Sequence, residues 1–171
     1  MHTFLRGATT SVGAASSDGS YTESAIKYTG DAPIRLLTYA EYNFIRAEAA
    51  VYGAPGDAET FYKEGITASM KSAGVSDANI ALYLAAKGTL AGTESDKIKR
   101  IIEEKYIASF GVMMEPWTDW RRTGFPAISK VNNAVTTDIP RSLPYPQSEI
   151  DLNPNSPGQK PDLLVKVFWD K

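Results

Sequence analysis

Glu41 and Glu48 stand seven residues apart in the stretch LTYAEYNFIRAEAAVYG. At helical pitch that interval returns both side chains to one face. Two carboxyl groups on one face are the minimal equipment of a glycosidase, which needs an acid and a base or nucleophile roughly 5–10 Å apart. The same residues also have a structural reading. Glu41 lies three residues after Thr38 and fits a helix capping box, while Glu48 fits an ion pair. Spacing along one segment is weak evidence for a catalytic pair, so the structural reading is preferred and no catalytic residue is assigned.

A second candidate is DLNPNSPGQKPD. It sets Asp151, Asn153, Asn155 and Asp162 at positions 1, 3, 5 and 12 of an EF-hand-like loop, where oxygen ligands can wrap calcium. Against that, Ser156 replaces the glycine of the sharp turn, the last ligand is Asp and not Glu, and prolines crowd the loop. Turns capped by Asn and Asp side chains account for the same residues, and no metal is assigned.

The third is MEPWTDWRRTGFP, residues 114–126, which gathers Trp117, Trp120, Arg121 and Arg122. As a nucleic-acid patch it is too small, in a chain of net charge −2 and pI near 5.5. As a glycan platform it would expose its rings to the apolar faces of sugars. As a structural knot it would turn the rings inward while the guanidiniums clamp carboxylates or loop carbonyls. A long irregular segment comes next in the chain, and its carbonyls need such partners, so the knot is favoured. Aromatic residues make up 11% of the chain, including nine tyrosines. Most sit at helical spacing and belong to a core, so no ligand-binding residue is named.

Other chemistries are excluded by composition. The chain has no cysteine, which removes disulfides, thiol catalysis and Cys-ligated zinc. His2 is the one histidine, so a Ser-His-Asp triad or an HExxH zinc site is not available. GAPGDAE has the wrong order for a phosphate loop. No cofactor is expected.

The elements that must position these residues are mainly helical. Residues 1–30 are rich in Ser, Thr, Gly and Ala and read as loop, with a short strand considered around Tyr21–Tyr28. Residues 38–124 carry helical periodicity. Ala40, Phe44, Ala47 and Val51 form one apolar row, and Tyr42, Ile45, Ala49 and Tyr52 a second, so this helix should pack on more than one side. Gly53, Pro55 and Gly56 end it. Tyr62, Ile66, Met70 and Ala73 mark the next helix, with Gly65 at a point of close packing and Gly74 as the stop. The two make an αα-hairpin of about one tetratricopeptide-repeat (TPR) length, without a clear second copy. A shorter helix spans about Ser76 to Lys87. Another starts from Ser95 as cap and turns Ile98, Ile102 and Tyr106 inward, leaving its alternating charges to solvent. Pro116 and Gly124 bound a short helix around the tryptophans. Residues 125–171 form a Pro-rich region: eight of the ten prolines lie between Pro116 and Pro161, so only loops and very short elements fit before a last strand in LLVKVFWD. With 171 residues the chain suits a single domain, 1–171.

LTYAEYNFIRAEAAVYG, FYKEGITASM, WTDWRRTGFP, IPRSLPYPQSEIDLNPN and VFWD, in that order, resemble the C-terminal half of the SusD/RagB-like proteins, in the branch called the second SusD-like family. The resemblance runs from about Pro33 to the end. It implies a mainly α fold with TPR-like hairpins supporting irregular loops. It also implies a surface-exposed outer-membrane lipoprotein of Bacteroidetes. Such a protein captures glycans or other nutrients, without catalysis, for a SusC-like TonB-dependent transporter in polysaccharide utilization. Neither the signal peptide and lipid-bearing cysteine of family members nor their N-terminal half is found here. The expectation is therefore a C-terminal portion or a truncated relative, partnered by that missing half and anchored through it. Two alternatives remain: a freestanding TPR-like protein-interaction scaffold, and a glycoside hydrolase using the paired carboxylates.

Overall fold

A computed structural model of the protein describes residues 35–110 and 114–171. His2 and the strand considered at Tyr21–Tyr28 lie outside them. Six helices occur in order: α1 (Tyr39–Val51), α2 (Ala58–Ser72), α3 (Asp77–Lys87), α4 (Glu94–Ala108), α5 (Glu115–Thr123) and α6 (Gln147–Leu152). None of them is long and apolar enough to cross a membrane.

Local chemistry sets most of the boundaries. The Thr38 hydroxyl accepts from the Glu41 amide at 3.1 Å, and the Asp57 carboxylate accepts from the Thr60 amide at 2.7 Å. The capping box expected at Thr38 is only half formed, because the Glu41 carboxylate turns inward to Lys105 at 3.8 Å. A complete box occurs instead at α4, where Thr93 and Asp96 satisfy each other's amides. Thr93, and not Ser95, is therefore the cap. Its hydroxyl lies three residues before the amide it must reach, whereas Ser95 is already inside the first turn. Gly124 ends α5 in the left-handed conformation at φ 80°.

α1 and α2 pack as a hairpin, and α4 closes over it. Phe44, Ala47, Tyr62, Ile66 and Ile101 are all but sealed from solvent. The Phe44 and Tyr62 rings meet edge to face at 6.3 Å between centroids. Three expectations change here. Tyr42, Ile45, Ala49 and Tyr52 are exposed, while Glu41, Asn43 and Glu48 are buried. Lys105 occupies the inward position expected for Tyr106, which is itself exposed. Ala73 is exposed, because α2 ends at Ser72 and the chain turns away through Gly74.

Beyond α5 the chain runs irregularly apart from the six residues of α6, as the prolines require. The strand expected in LLVKVFWD is replaced by turns, and no strand occurs among the described residues. No sheet edge among the described residues lies beside this segment, and its polar groups find other partners. The Leu163 carbonyl accepts from the amides of Arg141 at 2.8 Å and Ser142 at 3.1 Å, and the Lys171 amide reaches the Arg121 carbonyl at 3.0 Å.

A Cβ at Gly65 would fall 2.8–2.9 Å from three ring carbons of Phe44. Alanine gains about 1 kcal/mol of helix propensity, but overpacking a sealed core costs about 1–3 kcal/mol. Gly65→Ala is expected to lower stability by about 1 kcal/mol in urea unfolding. A stabilised variant would show that Phe44 can shift freely.

Candidate functional site

The carboxylates and the tryptophan–arginine stretch converge where α1, α4 and α5 meet. Asp119 accepts from Lys105 Nζ at 2.8 Å and from Arg122 Nη2 at 2.9 Å. Arg122 also clamps Glu48 with both terminal nitrogens, Nη2 to Oε2 at 2.8 Å. Lys105, Glu41 and Asp119 are buried, whereas Arg122 is 38% exposed at its side chain. The cluster holds three acids and two bases. Burial raises the Glu41 carboxyl above the usual range against the attraction of Lys105, with Glu115 and Asp119 adding repulsion. The hydrogen bonds to Glu48 push the Arg122 guanidinium up despite its desolvation. Glu41 and Glu48 are thus each engaged by a cation and bridge helices.

The second layer alternates arginine with tryptophan. Arg121 lies over the Trp117 ring at 3.5 Å and the Trp169 ring at 4.5 Å, and donates to the Arg141 carbonyl at 2.9 Å. Burial lowers its basicity. Arg141 in turn lies over Trp120 at 3.9 Å and pairs with Asp170 at 2.7 Å. Trp117 Nε1 donates to the Pro140 carbonyl at 2.9 Å. This is the knot geometry, in which guanidiniums clamp both a carboxylate and loop carbonyls. Sequence reasoning does not single out Lys105, Asp119, Arg141 or Asp170. Lys105 sits in a run of alternating charges that looks solvated, and Asp170 joins from the chain end.

Three of the four side chains in the calcium-like pattern, those of Asp151, Asn153 and Asp162, accept local hydrogen bonds. Asp151 accepts from Gln147, Asn153 from the Asn155 amide at 3.0 Å, and Asp162 from the Leu164 amide at 2.8 Å. No group of three His, Asp or Glu residues suited to a metal occurs among the described residues. Two clefts lie away from the tryptophans. One of about 490 Å³ is lined by Tyr39, Ala68 and Phe110. Another of about 740 Å³ between α2, α3 and α4 is lined by Tyr62, Tyr83, Arg100 and Glu103. Tyr83 donates to Glu104 at 2.5 Å at its edge. Burial, with that hydrogen bond, raises its hydroxyl well above the ordinary range.

A helical hairpin joined to an irregular segment through an ion-paired, arginine–tryptophan junction defines a mainly helical, TPR-like fold. Comparison with known proteins narrows the class. A family model described as "Starch-binding associating with outer membrane" matches residues 5–146, and the chain belongs to this second SusD-like family. A SusD homologue from Bacteroides fragilis is similar at 34% identity and TM-score 0.65, over 74% of this chain and 32% of that one. A chitin-binding SusD homologue from Flavobacterium johnsoniae is similar at 29% identity and TM-score 0.65, over 77% and 36%. A structure described as a chitin-binding protein is similar at 32% identity and TM-score 0.66, over 77% and 32%. The chain therefore spans about a third of the length of these solved relatives. No curated protein matches.

The junction yields two predictions. Arg122→Ala strands Glu48 and leaves Asp119 with Lys105 alone, and is expected to cost about 2–3 kcal/mol, less than a fully buried pair because Arg122 is partly solvated. Arg121→Ala strands no carboxylate and should cost about 1–2 kcal/mol through lost ring stacking and one hydrogen bond. Urea midpoints equal to wild type for both would remove the knot. The raised Glu41 contributes stability that is present below its ordinary value of 4.5 and lost as pH rises through its folded value. Glu41→Gln has no such loss, so its stability relative to wild type should improve between pH 4 and pH 7. A constant difference across that range would show that Glu41 is not perturbed.

Proposed function

We propose that the protein is the C-terminal portion of a non-catalytic, glycan-binding lipoprotein on the outer-membrane surface of a Bacteroidetes cell. It captures a glycan or similar nutrient and hands it to a SusC-like TonB-dependent transporter. The observation that carries this reading is the family match over residues 5–146, with its starch-binding, outer-membrane description. Two similar structures are described as chitin-binding, which favours a polysaccharide ligand. Passive capture is favoured by the carboxylates themselves. A glycosidase needs one free acid and one free base or nucleophile, whereas Glu41 and Glu48 are engaged by Lys105 and Arg122. Because the relatives' chains are about three times the matched length, the working protein is taken to include an N-terminal portion that carries the lipid anchor.

Calorimetric titration with chitin and starch oligosaccharides tests this on residues 1–171 and on the native protein from outer-membrane fractions. The expected result is saturable binding of one saccharide class by the native protein, with no new reducing ends after long incubation. Saccharide cleavage abolished by Glu41→Gln would establish the hydrolase instead. Failure of the native protein to bind any glycan in a broad panel would remove the capture role.

A further inference from the structure

Among the first four helices, α3 is the most weakly buried. It buries one residue, Ile80, against six in α1, five in α2 and four in α4. Tyr83 and Leu84 are half-buried against the core, and the rest of the helix is exposed. Elements with few buried apolar side chains open at a lower free-energy cost than the rest of a fold. Polar links supply much of the remaining hold. The Tyr83 hydroxyl donates to the Glu104 carboxylate of α4 at 2.5 Å, and the Lys87 carbonyl at the end of α3 accepts from the Tyr62 hydroxyl of α2 at 3.3 Å. A short bond to a carboxylate is the strong kind, whereas 3.3 Å is long for a hydroxyl donor. Tyr83–Glu104 is therefore the principal polar tie across α3.

The chain is anchored on either side of this helix. Before it, the half-buried Val75 donates its amide to the Met70 carbonyl at 3.0 Å. After it, the buried Leu90 donates its amide to the Glu59 carboxylate at 3.1 Å, and Arg100 donates to the Thr89 carbonyl at 3.2 Å. Residues 76–88 can thus leave their seat without displacing α2 or α4, with the change absorbed at the helix ends, where hinges sit. The same helix forms one wall of the cleft of about 740 Å³ that Tyr62, Tyr83 and Lys87 line.

We propose that α3 is a hinged wall of this cleft, which swings out between Val75 and Thr89 while α1, α2 and α4 stay packed, and that the Tyr83–Glu104 hydrogen bond is its latch. Opening releases the Tyr62 hydroxyl from Lys87 and widens the cleft, and the latch keeps the cleft narrow. The inference is independent of the capture role and of which glycan is bound.

Thiol labelling of Ile80→Cys in the native protein, read by mass spectrometry of the α3 peptide, tests it. The 171 residues hold no competing cysteine. The thiol should label under native conditions, although Ile80 is only 4% exposed. Adding Tyr83→Phe should speed labelling about tenfold. Adding Arg122→Ala, which weakens the junction of α1, α4 and α5 on the other side of the core, should leave the rate unchanged. Labelling that Tyr83→Phe does not accelerate overturns the latch. Acceleration by Arg122→Ala overturns the hinge, because the thiol is then reached only when the whole fold opens, and a thiol that stays unlabelled until the protein unfolds overturns it too. If Ile80→Cys does not fold, nitration of Tyr62 in the cysteine-free chain makes the same comparison of Tyr83→Phe with Arg122→Ala, with the same outcomes.

Discussion

Asp119 has two cations within 3 Å, and the join between the helical and irregular halves depends on that arrangement. Burying a carboxylate without a partner costs several kcal/mol, whereas burying it with paired, hydrogen-bonded cations is tolerated. Lys105 brings α4 to it, Arg122 reaches on to Glu48 in α1, and Asp119 itself belongs to α5. A one-residue rotation of α5 would swing both Asp119 and Arg122 about 100° away from these partners. The nine-residue helix is too short to be stable by propensity alone. Its position is set by charges that find partners in one orientation.

α5 in turn anchors the irregular segment beyond it. That segment has no ladder to satisfy its carbonyls, and each buried one left unpaired would cost roughly 1–3 kcal/mol. The Pro140, Arg141 and Leu163 carbonyls are met by Trp117, Arg121 and the amides of Arg141 and Ser142. Tryptophan and arginine suit this task together. The rings supply area for the guanidinium faces, while the guanidinium edges remain free to donate. The prolines assist from the unfolded side, because they reduce the conformational freedom that ordering removes.

Much of the helical part is legible in the sequence because its signals are local. Caps, glycine stops and the Phe44 and Tyr62 rows depend on residues within a turn or two of each other. The order of motifs around WTDWRRTGFP and IPRSLPYPQSE carries the family. The features that escape depend on partners distant in sequence. Lys105 lies in a run of charges that periodicity assigns to solvent, and only the arrival of Asp119 and Glu41 gives it a reason to be buried. Asp170 and Trp169 look like the end of a strand because alternating apolar residues are the signal for one. With no strand edge to pair with among the described residues, the same residues serve as anchors on Arg121 and Arg141. The second apolar row of α1 reads as a packing surface, yet no partner for it is among the described residues.

The junction also limits what its own side chains can do. Its charged groups are largely consumed in holding elements together, so the cluster that most resembles an active site has little freedom left for proton transfer. An irregular segment pinned through Trp117, Arg121 and Arg141 has already lost much of its conformational freedom. Substitutions among the exposed loop side chains would leave this framework in place, whereas substitutions at Asp119, Lys105 or Arg122 would alter whether the loops are held at all.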